Sequence, residues 1–205
     1  MLTPQKTIIK RVFDIAGAIG GIITLSPLFI FISLLLKIKE PHSPVFFRQK
    51  RVGQFGKTFD IIKFSTMKNE EENDNSPITI TISNDKRFTP TGAFLSKYKL
   101  NELPQLWNVL KGEMSFVGPR PDVEGYADKL MGEDRNILML KPGITGPATL
   151  KYRNEEEILA LQEDPLNYND TVIWPDKVRI NLEYYYQQSF VKDLKIIFQT
   201  IFKRG

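Results

Sequence analysis

The sequence has no cysteine and only one histidine, His42, which follows Pro41. Without cysteine there are no disulfide bonds, no thiolate zinc site and no thiol nucleophile, while the redox compartment stays undetermined. A lone histidine disfavours both a histidine metal site and a Ser-His-Asp triad. Any chemistry must therefore rely on carboxylates, amides, lysine and arginine.

The charge balance is only mildly basic, with 28 Lys and Arg against 24 Asp and Glu in 205 residues. This excess suits anionic lipids, phosphorylated ligands or nucleic acid and does not separate them. The length fits one ordinary domain with an appendage.

A long apolar run covers residues 12–36, in which Asp14 is the only charged residue. As a straight helix it would measure about 37 Å, enough to cross the hydrocarbon core of a membrane. A signal peptide would have a shorter apolar region and a small-residue cleavage site. So uniformly apolar a segment also disfavours a soluble core helix. We therefore predict that this segment resides in a membrane.

The centre and the flanks of this segment favour a re-entrant course over simple crossing. Pro27 removes a backbone donor and predicts a kink, and Ser26 can return a hydrogen bond to the freed carbonyl. The positive-inside tendency keeps basic flanks in the cytoplasm, and here it applies to both ends. We predict a helix–break–helix over residues 1–40, with ordinary crossing as the alternative. The basic flanking residues are Lys6, Lys10, Arg11, Lys37 and Lys39.

The C-terminal segment from Phe190 shows helical spacing of apolar residues among basic ones. Such a helix lies in a membrane interface or packs on its own domain, and the segment alone does not choose. The predicted apolar face consists of Phe190, Leu194, Ile197, Phe198 and Ile201.

Residues 41–205 otherwise predict one compact soluble domain without internal repeats, on the cytoplasmic face of the membrane. The predicted fold class is α+β and mostly helical, with a small β-hairpin and interfacial amphipathic helices. The predicted elements are a hairpin over 45–64, a mobile loop over 67–86, a short helix after Thr91-Gly92, a helix over 102–112, rigid loops at 118–121 and 141–147, and a longer helix over 174–188.

The stretch from Asn101 to Arg120 carries the most suggestive chemistry. Pro104 suits a first helical turn, which places Asn101 near the N-cap, where unpaired N–H groups attract anions. Glu102 there can bind a divalent metal or accept a proton, and Arg120, between two prolines, suits bidentate phosphate binding. The plainer interpretation is a capped helix and a structural ion pair.

Several motifs in a fixed order resemble the bacterial sugar transferase family, the monotopic phosphoglycosyl transferases that begin lipid-linked glycan assembly. The resemblance runs from about Lys10 to about Lys203 and looks like the minimal form. Its most specific part is ELPQLWNVLKG…SFVGPRP. The other motifs are KRVFDI, the apolar segment broken at Ser-Pro, VFFRQKRVG, IIKFSTM and KPGITGPA.

This resemblance implies transfer of a phospho-sugar from a UDP-sugar to polyprenyl phosphate, such as undecaprenyl phosphate, with Mg²⁺ as cofactor. In the family an Asp attacks the β-phosphorus, UMP leaves, and the lipid phosphate takes up the covalent phosphosugar, while the neighbouring Glu is associated with the metal. The implied location is the cytoplasmic face of the bacterial inner membrane. The implied partners are the two substrates, phospholipid and downstream glycosyltransferases, with no nucleic acid; neither the sugar nor the oligomeric state is indicated.

By position, the resemblance implies roles for individual residues of this chain. Glu102 matches the family Glu as a catalytic and metal-associated residue, and Lys63, Arg120, Lys141 and Arg153 match positions that bind substrate or phosphate. Ser26 and Pro27 match the break that makes the family's membrane helix re-entrant. Ser65, Lys141 and Asn181 stand where the family usually has other residues, which points to a divergent subfamily.

One departure affects the chemistry directly, because Asn101 occupies the position of the nucleophilic Asp. An amide is neutral, weakly nucleophilic and has no ready route to an acyl phosphate. Three explanations stay open: a substitution that traps an inactive enzyme, a nucleophile moved to Glu102, and a protein that has lost catalysis and kept binding. The alternative functions are a silent membrane scaffold that binds polyprenyl phosphate and a peripheral protein that binds anionic lipid.

Overall fold

The computed structural model describes residues 4–68 and 87–202, which form a mostly helical α+β fold with two small sheets. The strands are β1 Phe46–Val52, β2 Thr58–Phe64, β3 Ser115–Val117 and β4 Gly143–Thr145. The helices are α1 Pro4–Lys39, α2 Pro90–Lys97, α3 Gln105–Lys111, α4 Pro147–Lys151, α5 Glu155–Ala160, α6 Pro165–Tyr168, α7 Trp174–Gln187 and α8 Phe190–Phe202.

The predicted hairpin is confirmed by the antiparallel pair β1–β2, in which Phe46 pairs with Phe64. Positive φ angles at Phe55 and Gly56 close its turn. The predicted loop over 67–86 lies outside the described residues except for its first two, and Met67 forms a bridge to Phe88.

The second sheet, the parallel pair β3–β4, corrects the prediction that residues 141–147 form only a loop. Glycines allow its close backbone approach, since a Cβ on Gly143 would lie 2.1 Å from the Gly118 nitrogen. Strands of three residues carry no measurable alternation, so the sequence pattern could not reveal them.

The two predicted helices before the GPRP loop are both present, but the second begins later than predicted. Helix α2 starts at Pro90 and is capped by Thr89, whose hydroxyl accepts from the Gly92 N–H. Helix α3 starts at Gln105, because Leu100–Glu102 forms a separate 3-10 turn that follows Lys99 in the left-handed conformation. The prediction that Asn101 lies at the N-cap of this helix is therefore wrong.

The apolar N-terminal segment is one continuous helix, and the predicted break at Ser26-Pro27 does not interrupt its secondary structure. Pro27 leaves the Ile23 carbonyl without its usual i+4 donor. The Ser26 hydroxyl donates to that carbonyl at 2.8 Å, which keeps the helical backbone intact. The re-entrant course stays a prediction.

Helix α1 is long and apolar enough to cross a membrane over Ile8–Lys39, and it is the one such helix in the described part of the chain. Only 11% of its most apolar stretch is buried, which excludes the core helix of a soluble protein and fits association with a membrane.

A single face of α1 packs along the rest of the protein, through side chains that recur at helical spacing. Near its N-terminal end, Lys10 forms an ion pair with Asp193 of α8 at 2.6 Å. Near its C-terminal end, Ile32 and Leu36 pack into a cluster with residues of β2 and α2. Along α1, the buried positions are Asp14, Ala18, Ile32 and Leu36.

The C-terminal helix packs on its own domain, as one of the two predictions has it, and its location in a membrane interface stays a prediction. Its buried side carries Asp193 and Ile196, which pack on the domain. The apolar face predicted from the sequence is largely exposed apart from Ile197, which packs against the core. The exposed apolar residues of α8 are Phe190, Val191, Leu194, Phe198, Ile201 and Phe202.

Candidate functional site

Glu102 lies at the centre of a charge cluster formed by three separate segments. Its carboxylate accepts from Arg120 Nη2 at 2.6 Å and from Lys63 Nζ at 3.3 Å, both at Oε1. Oε2 receives only a long contact from Arg120 Nη1 at 3.4 Å. The structure thus brings together three of the residues that the sequence predicted as site residues.

Local structure fixes each member of this cluster. Lys63 lies near the end of β2, and Glu102 is the last residue of the 3-10 turn that precedes α3. Arg120 follows β3, where the Gly143 N–H donates to the Pro119 carbonyl and the Gly118 N–H donates to the Thr145 carbonyl. The small parallel sheet therefore sets where the guanidinium of Arg120 lies.

The electrostatics of the cluster keep Glu102 ionised. Burial raises the pKa of Glu102, but the positive charges of Arg120 and Lys63 outweigh burial and hold that pKa far below its usual range. The Glu102 carboxylate in turn raises the pKa of Arg120. Burial lowers the pKa of Lys63 to about 8, with Glu102 acting in the opposite direction. An ionised carboxylate clamped in this way is a weak nucleophile.

Asn101 is buried beside Glu102 in the same 3-10 turn, and its Oδ1 has no hydrogen-bond partner among residues 4–68 and 87–202. Gln105, one turn further, has an unpartnered buried Nε2. A buried amide oxygen without a donor is unusual in a folded protein and points to a bound ligand or to strain. Position 101, which the sequence resemblance matches to a nucleophile, therefore carries an amide oxygen that no described residue satisfies.

The oxygen atoms of Glu102 and Asn101 could supply some, but not all, of the ligands of a hard cation. Among residues 4–68 and 87–202 no group of three or more carboxylate or histidine side chains could hold a metal unaided. Mg²⁺ is usually held by one or two carboxylates together with water and substrate phosphates. The weakly engaged Oε2 of Glu102 and the unpartnered Oδ1 of Asn101 are oxygens suited to such an ion.

Two charged residues next to the cluster were not singled out from the sequence. Arg51 of β1 donates to the Pro121 carbonyl at 3.4 Å, and its buried Nε has no hydrogen-bond partner among the described residues. Burial raises the pKa of Asp122 to about 6, while the charges of Lys177, Arg51 and Arg120 lower it. Arg51 was visible within the VFFRQKRVG motif, but only the folded hairpin brings it towards the GPRP loop.

The other two predicted phosphate-binding residues have neighbours in other parts of the fold. Arg153 donates to the carbonyls of Gln199 and Thr200 in α8. Lys141 lies near Arg11 of α1 and the end of α3. Their predicted roles in binding substrate stay predictions.

The arrangement as a whole combines three cationic groups with two carboxylates, of which Glu102 is clamped. Three cationic groups, Lys63, Arg120 and Arg51, converge on Glu102 and Asp122. Guanidinium and ammonium groups held at partly buried positions bind phosphate oxygens well. The site can therefore hold a diphosphate against a side chain at position 101.

Comparison with protein families gives a match to the bacterial sugar transferase family over residues 5–204, which is nearly the whole chain. The chain is 35% identical to the uncharacterized sugar transferase EpsL of Bacillus subtilis (strain 168), over 96% of this chain and 87% of that protein. It is 33% identical to the exopolysaccharide production protein ExoY of Sinorhizobium fredii, over 98% of this chain and 87% of ExoY.

Larger relatives match in part of their length. The UDP-glucose:undecaprenyl-phosphate glucose-1-phosphate transferase of Escherichia coli (strain K12) is 37% identical over 98% of this chain, which corresponds to 41% of that enzyme. The undecaprenyl-phosphate galactose phosphotransferase of Salmonella typhimurium is 39% identical over 72% of this chain and 33% of its own length.

Proposed function

The chain belongs to the bacterial sugar transferase family. We propose that it has the fold of a phosphoglycosyl transferase and binds a UDP-sugar and polyprenyl phosphate. The reaction of this fold moves a sugar 1-phosphate to the lipid and starts the assembly of a lipid-linked polysaccharide. The observation that carries the proposal is the cluster of Glu102, Arg120 and Lys63, which unites residues from three of the family motifs.

The residues of the cluster would act on the diphosphate of the donor. Arg120 and Lys63 bind its oxygens and stabilise the charge that develops as the bond to UMP breaks. With a carboxylate at position 101, one of its oxygens bonds to the β-phosphorus and UMP leaves. The phosphate oxygen of the lipid then attacks the same phosphorus, which releases the carboxylate and gives polyprenyl diphosphate sugar.

Asn101 makes the chain as written a binder of these substrates with severely impaired transfer. A shift of the nucleophilic role to Glu102 is disfavoured, because Arg120 and Lys63 hold that carboxylate and keep its pKa far below the usual range. A silent scaffold that binds polyprenyl phosphate is the second candidate, and the same amide at Asn101 favours it.

Mg²⁺ fits this site as a cofactor held by Glu102 and the amide oxygen of Asn101, together with the substrate. The ion would neutralise charge on the diphosphate.

The packing of α1 supports a helix whose two ends stay on one side of the membrane. Asp14 accepts hydrogen bonds from the Ser115 hydroxyl and the Phe116 N–H, and Leu36 packs with Phe64 of β2. These two positions are 22 residues apart, about 33 Å along a straight helix. A domain that contacts both ends is difficult to reconcile with perpendicular crossing, so we propose a re-entrant course on the cytoplasmic face of the inner membrane.

Release of UMP tests the proposed activity. We expect Asn101→Asp to release UMP from a UDP-sugar in the presence of Mg²⁺ and polyprenyl phosphate, at least 100-fold faster than the unchanged chain, because it restores a nucleophile. Asn101→Ala is the control and should stay inactive. If Asn101→Asp shows no turnover across a panel of UDP-sugars while lipid still binds, the scaffold function replaces this proposal.

A further inference from the structure

A second cationic pocket lies between the N-terminal part of α1 and the start of α8. Its volume is about 140 Å³, and its lining includes Lys10, Arg11, Lys141, Met139, Leu140 and Phe190. One water needs about 10 to 15 Å³ measured in this way, so the pocket has room for a group much larger than water.

This pocket is separate from the Glu102 cluster. Leu140 lines this pocket and also lines a second, smaller cavity, which Pro142 and Arg120 border as well. The segment of residues 140–142 therefore runs between the two sites.

Two positive charges meet at this pocket beside Gly112, the residue that follows α3. A Cβ on Gly112 would lie 3.2 Å from Arg11 Nη2 and 3.4 Å from Lys141 Nζ. Arg11 is held in place, because it donates to the carbonyls of Val109 and Leu110 at 2.6 and 2.8 Å.

Lys141 differs from its neighbours in having no hydrogen bond or ion pair within the part of the chain that the structure describes. Burial and the charge of Arg11 lower the pKa of Lys141, and the smaller effect of Asp14 raises it. The two nearby carboxylates are engaged elsewhere, Asp14 by Ser115 and Phe116, and Asp193 by Lys10 and Tyr184. The pocket thus holds one uncompensated positive charge.

The rim of the pocket joins apolar surface that is exposed in this structure. Met139 is 49% exposed and Phe190 36%, and the ring of Phe190 contacts Phe13 of α1 at 5.3 Å between centroids. Val12 and Val191, next to these two phenylalanines in sequence, are 61% and 75% exposed. A molecule with an anionic head and an apolar tail would satisfy both the cation and the rim.

We infer that this pocket, lined by Lys141, Arg11 and Phe190, binds the phosphate of an anionic membrane lipid. The inference rests on the membrane association of α1 and adds a lipid site outside the catalytic cluster. A phosphodiester of a phospholipid and the monoester of polyprenyl phosphate share this chemistry, and the ligands of the experiment distinguish them.

Native mass spectrometry of the full chain in a neutral detergent tests this site. The probes are dioctanoyl phosphatidylglycerol, dioctanoyl phosphatidylcholine and a short-chain polyprenyl phosphate. We expect the unchanged chain to bind one anionic lipid about tenfold more tightly than phosphatidylcholine. Lys141→Gln should lower that affinity about tenfold, and Lys141→Arg should retain it, because a hydrogen bond to a charged group is lost only in the first variant.

Lys129→Gln is the matched control, since it removes the same charge from an exposed lysine elsewhere on the domain. Equal effects of the two glutamine variants, or equal binding of the charged and zwitterionic lipids, would overturn the site. If Lys141→Gln lowers the affinity for polyprenyl phosphate alone, the pocket binds the acceptor lipid. If it lowers the affinity for phosphatidylglycerol, the pocket binds a lipid of the bulk membrane.

A second measurement guards against misfolding of the glutamine variant. A phosphatidylglycerol analogue with a photoreactive head group should label peptides that contain Met139–Lys141 or Ser189–Phe190 in the unchanged chain. Label confined to other segments would contradict the site. Because UMP release by Asn101→Asp is measured separately, loss of this site leaves the proposed transferase activity standing.

Discussion

At the scale of single residues, Asn101 and Glu102 form a pair with opposite properties. Glu102 is held by two cations, whereas the buried amide oxygen of Asn101 has no partner in the part of the chain that the structure describes. The clamped carboxylate suits charge neutralisation, and the unsatisfied position next to it suits contact with the reacting group.

The contribution of Glu102 to stability should depend on pH. Because the folded-state pKa lies below the ordinary value of 4.5, its stabilising effect is present above about pH 4.5 and is lost as the pH falls towards the folded pKa. Glu102→Gln at pH 7 should lower the free energy of unfolding by about 2 to 3 kcal/mol, at or just below the range of about 3 to 5 kcal/mol for a fully buried pair. Water screens the pair in part, since the Arg120 side chain is 40% exposed.

Denaturant titration in detergent at pH 7 and pH 3 measures this effect. The difference between Glu102→Gln and the unchanged chain should shrink at pH 3. The control is Glu156→Gln, which removes an exposed pair with Lys99 and should cost less than about 1 kcal/mol. A difference that is equal at both pH values would show that Glu102 is not ionised in the cluster.

The sequence identified Glu102, Arg120 and Lys63 because they stand in specific motifs, but it could not place their neighbours. Arg51 and Asp122 lie 71 residues apart in the sequence. They come close in the fold, where the Val52 N–H donates to the Asp122 carbonyl at 2.8 Å. The N-cap assigned to Asn101 failed because a left-handed Lys99 starts a separate turn, which no helical periodicity reveals.

At the scale of elements, α1 is attached to the domain by a small number of polar contacts at its N-terminal end. Lys10 donates to Asp193 and to the Val117 carbonyl, and Tyr184 donates to the other oxygen of Asp193. This cluster ties α1, α7, α8 and β3 together. Asp193 is 3% exposed, so its charge depends on these partners.

Breaking this junction should therefore be costly. Asp193→Asn leaves Lys10 without its counter-charge, and we expect the free energy of unfolding to fall by about 3 kcal/mol. Denaturant titration in detergent measures the change. Asp176→Asn is the control, with an expected loss near 1 kcal/mol, because its charged partners Lys151 and Arg179 are mostly exposed and the amide can still accept from the Tyr152 hydroxyl. Equal losses in the two variants would mean that the junction does not hold α1.

The sequence predicted elements well where a pattern was long enough to measure. The hairpin, α7 and α8 follow from alternation or helical spacing over seven residues or more. The parallel pair β3–β4 was missed, because each strand has three residues and the pairing joins segments that are distant in sequence. Pro27 correctly predicted a missing hydrogen bond, but the Ser26 hydroxyl compensates for it and the helix continues.

At the scale of the whole molecule, the long apolar helix α1 packs along the domain as part of the fold. Its buried face runs from Asp14 to Leu36 along the domain, and its opposite face is apolar and exposed. The sequence predicted membrane residence from composition, but this lengthwise packing depends on tertiary contacts that no local pattern encodes.

Cysteine labelling tests the course of this helix, and the absence of native cysteine makes each introduced thiol unique. Cysteines placed separately at Thr3 and Glu40 should both react with a membrane-impermeant reagent from the cytoplasmic side alone. A cysteine at Ile23, on the exposed apolar face, should react only after detergent is added. Labelling of Thr3 and Glu40 from opposite sides would establish a crossing helix.

The central claim is that position 101 is where a sugar phosphate becomes attached during transfer. Intact-protein mass spectrometry of the Asn101→Asp chain, after incubation with a UDP-sugar and Mg²⁺ but no lipid, tests it most directly. We predict a mass increase of one phosphosugar, located by peptide mapping at residue 101, and no increase in the unchanged chain. An adduct on Glu102 of the unchanged chain would contradict this account.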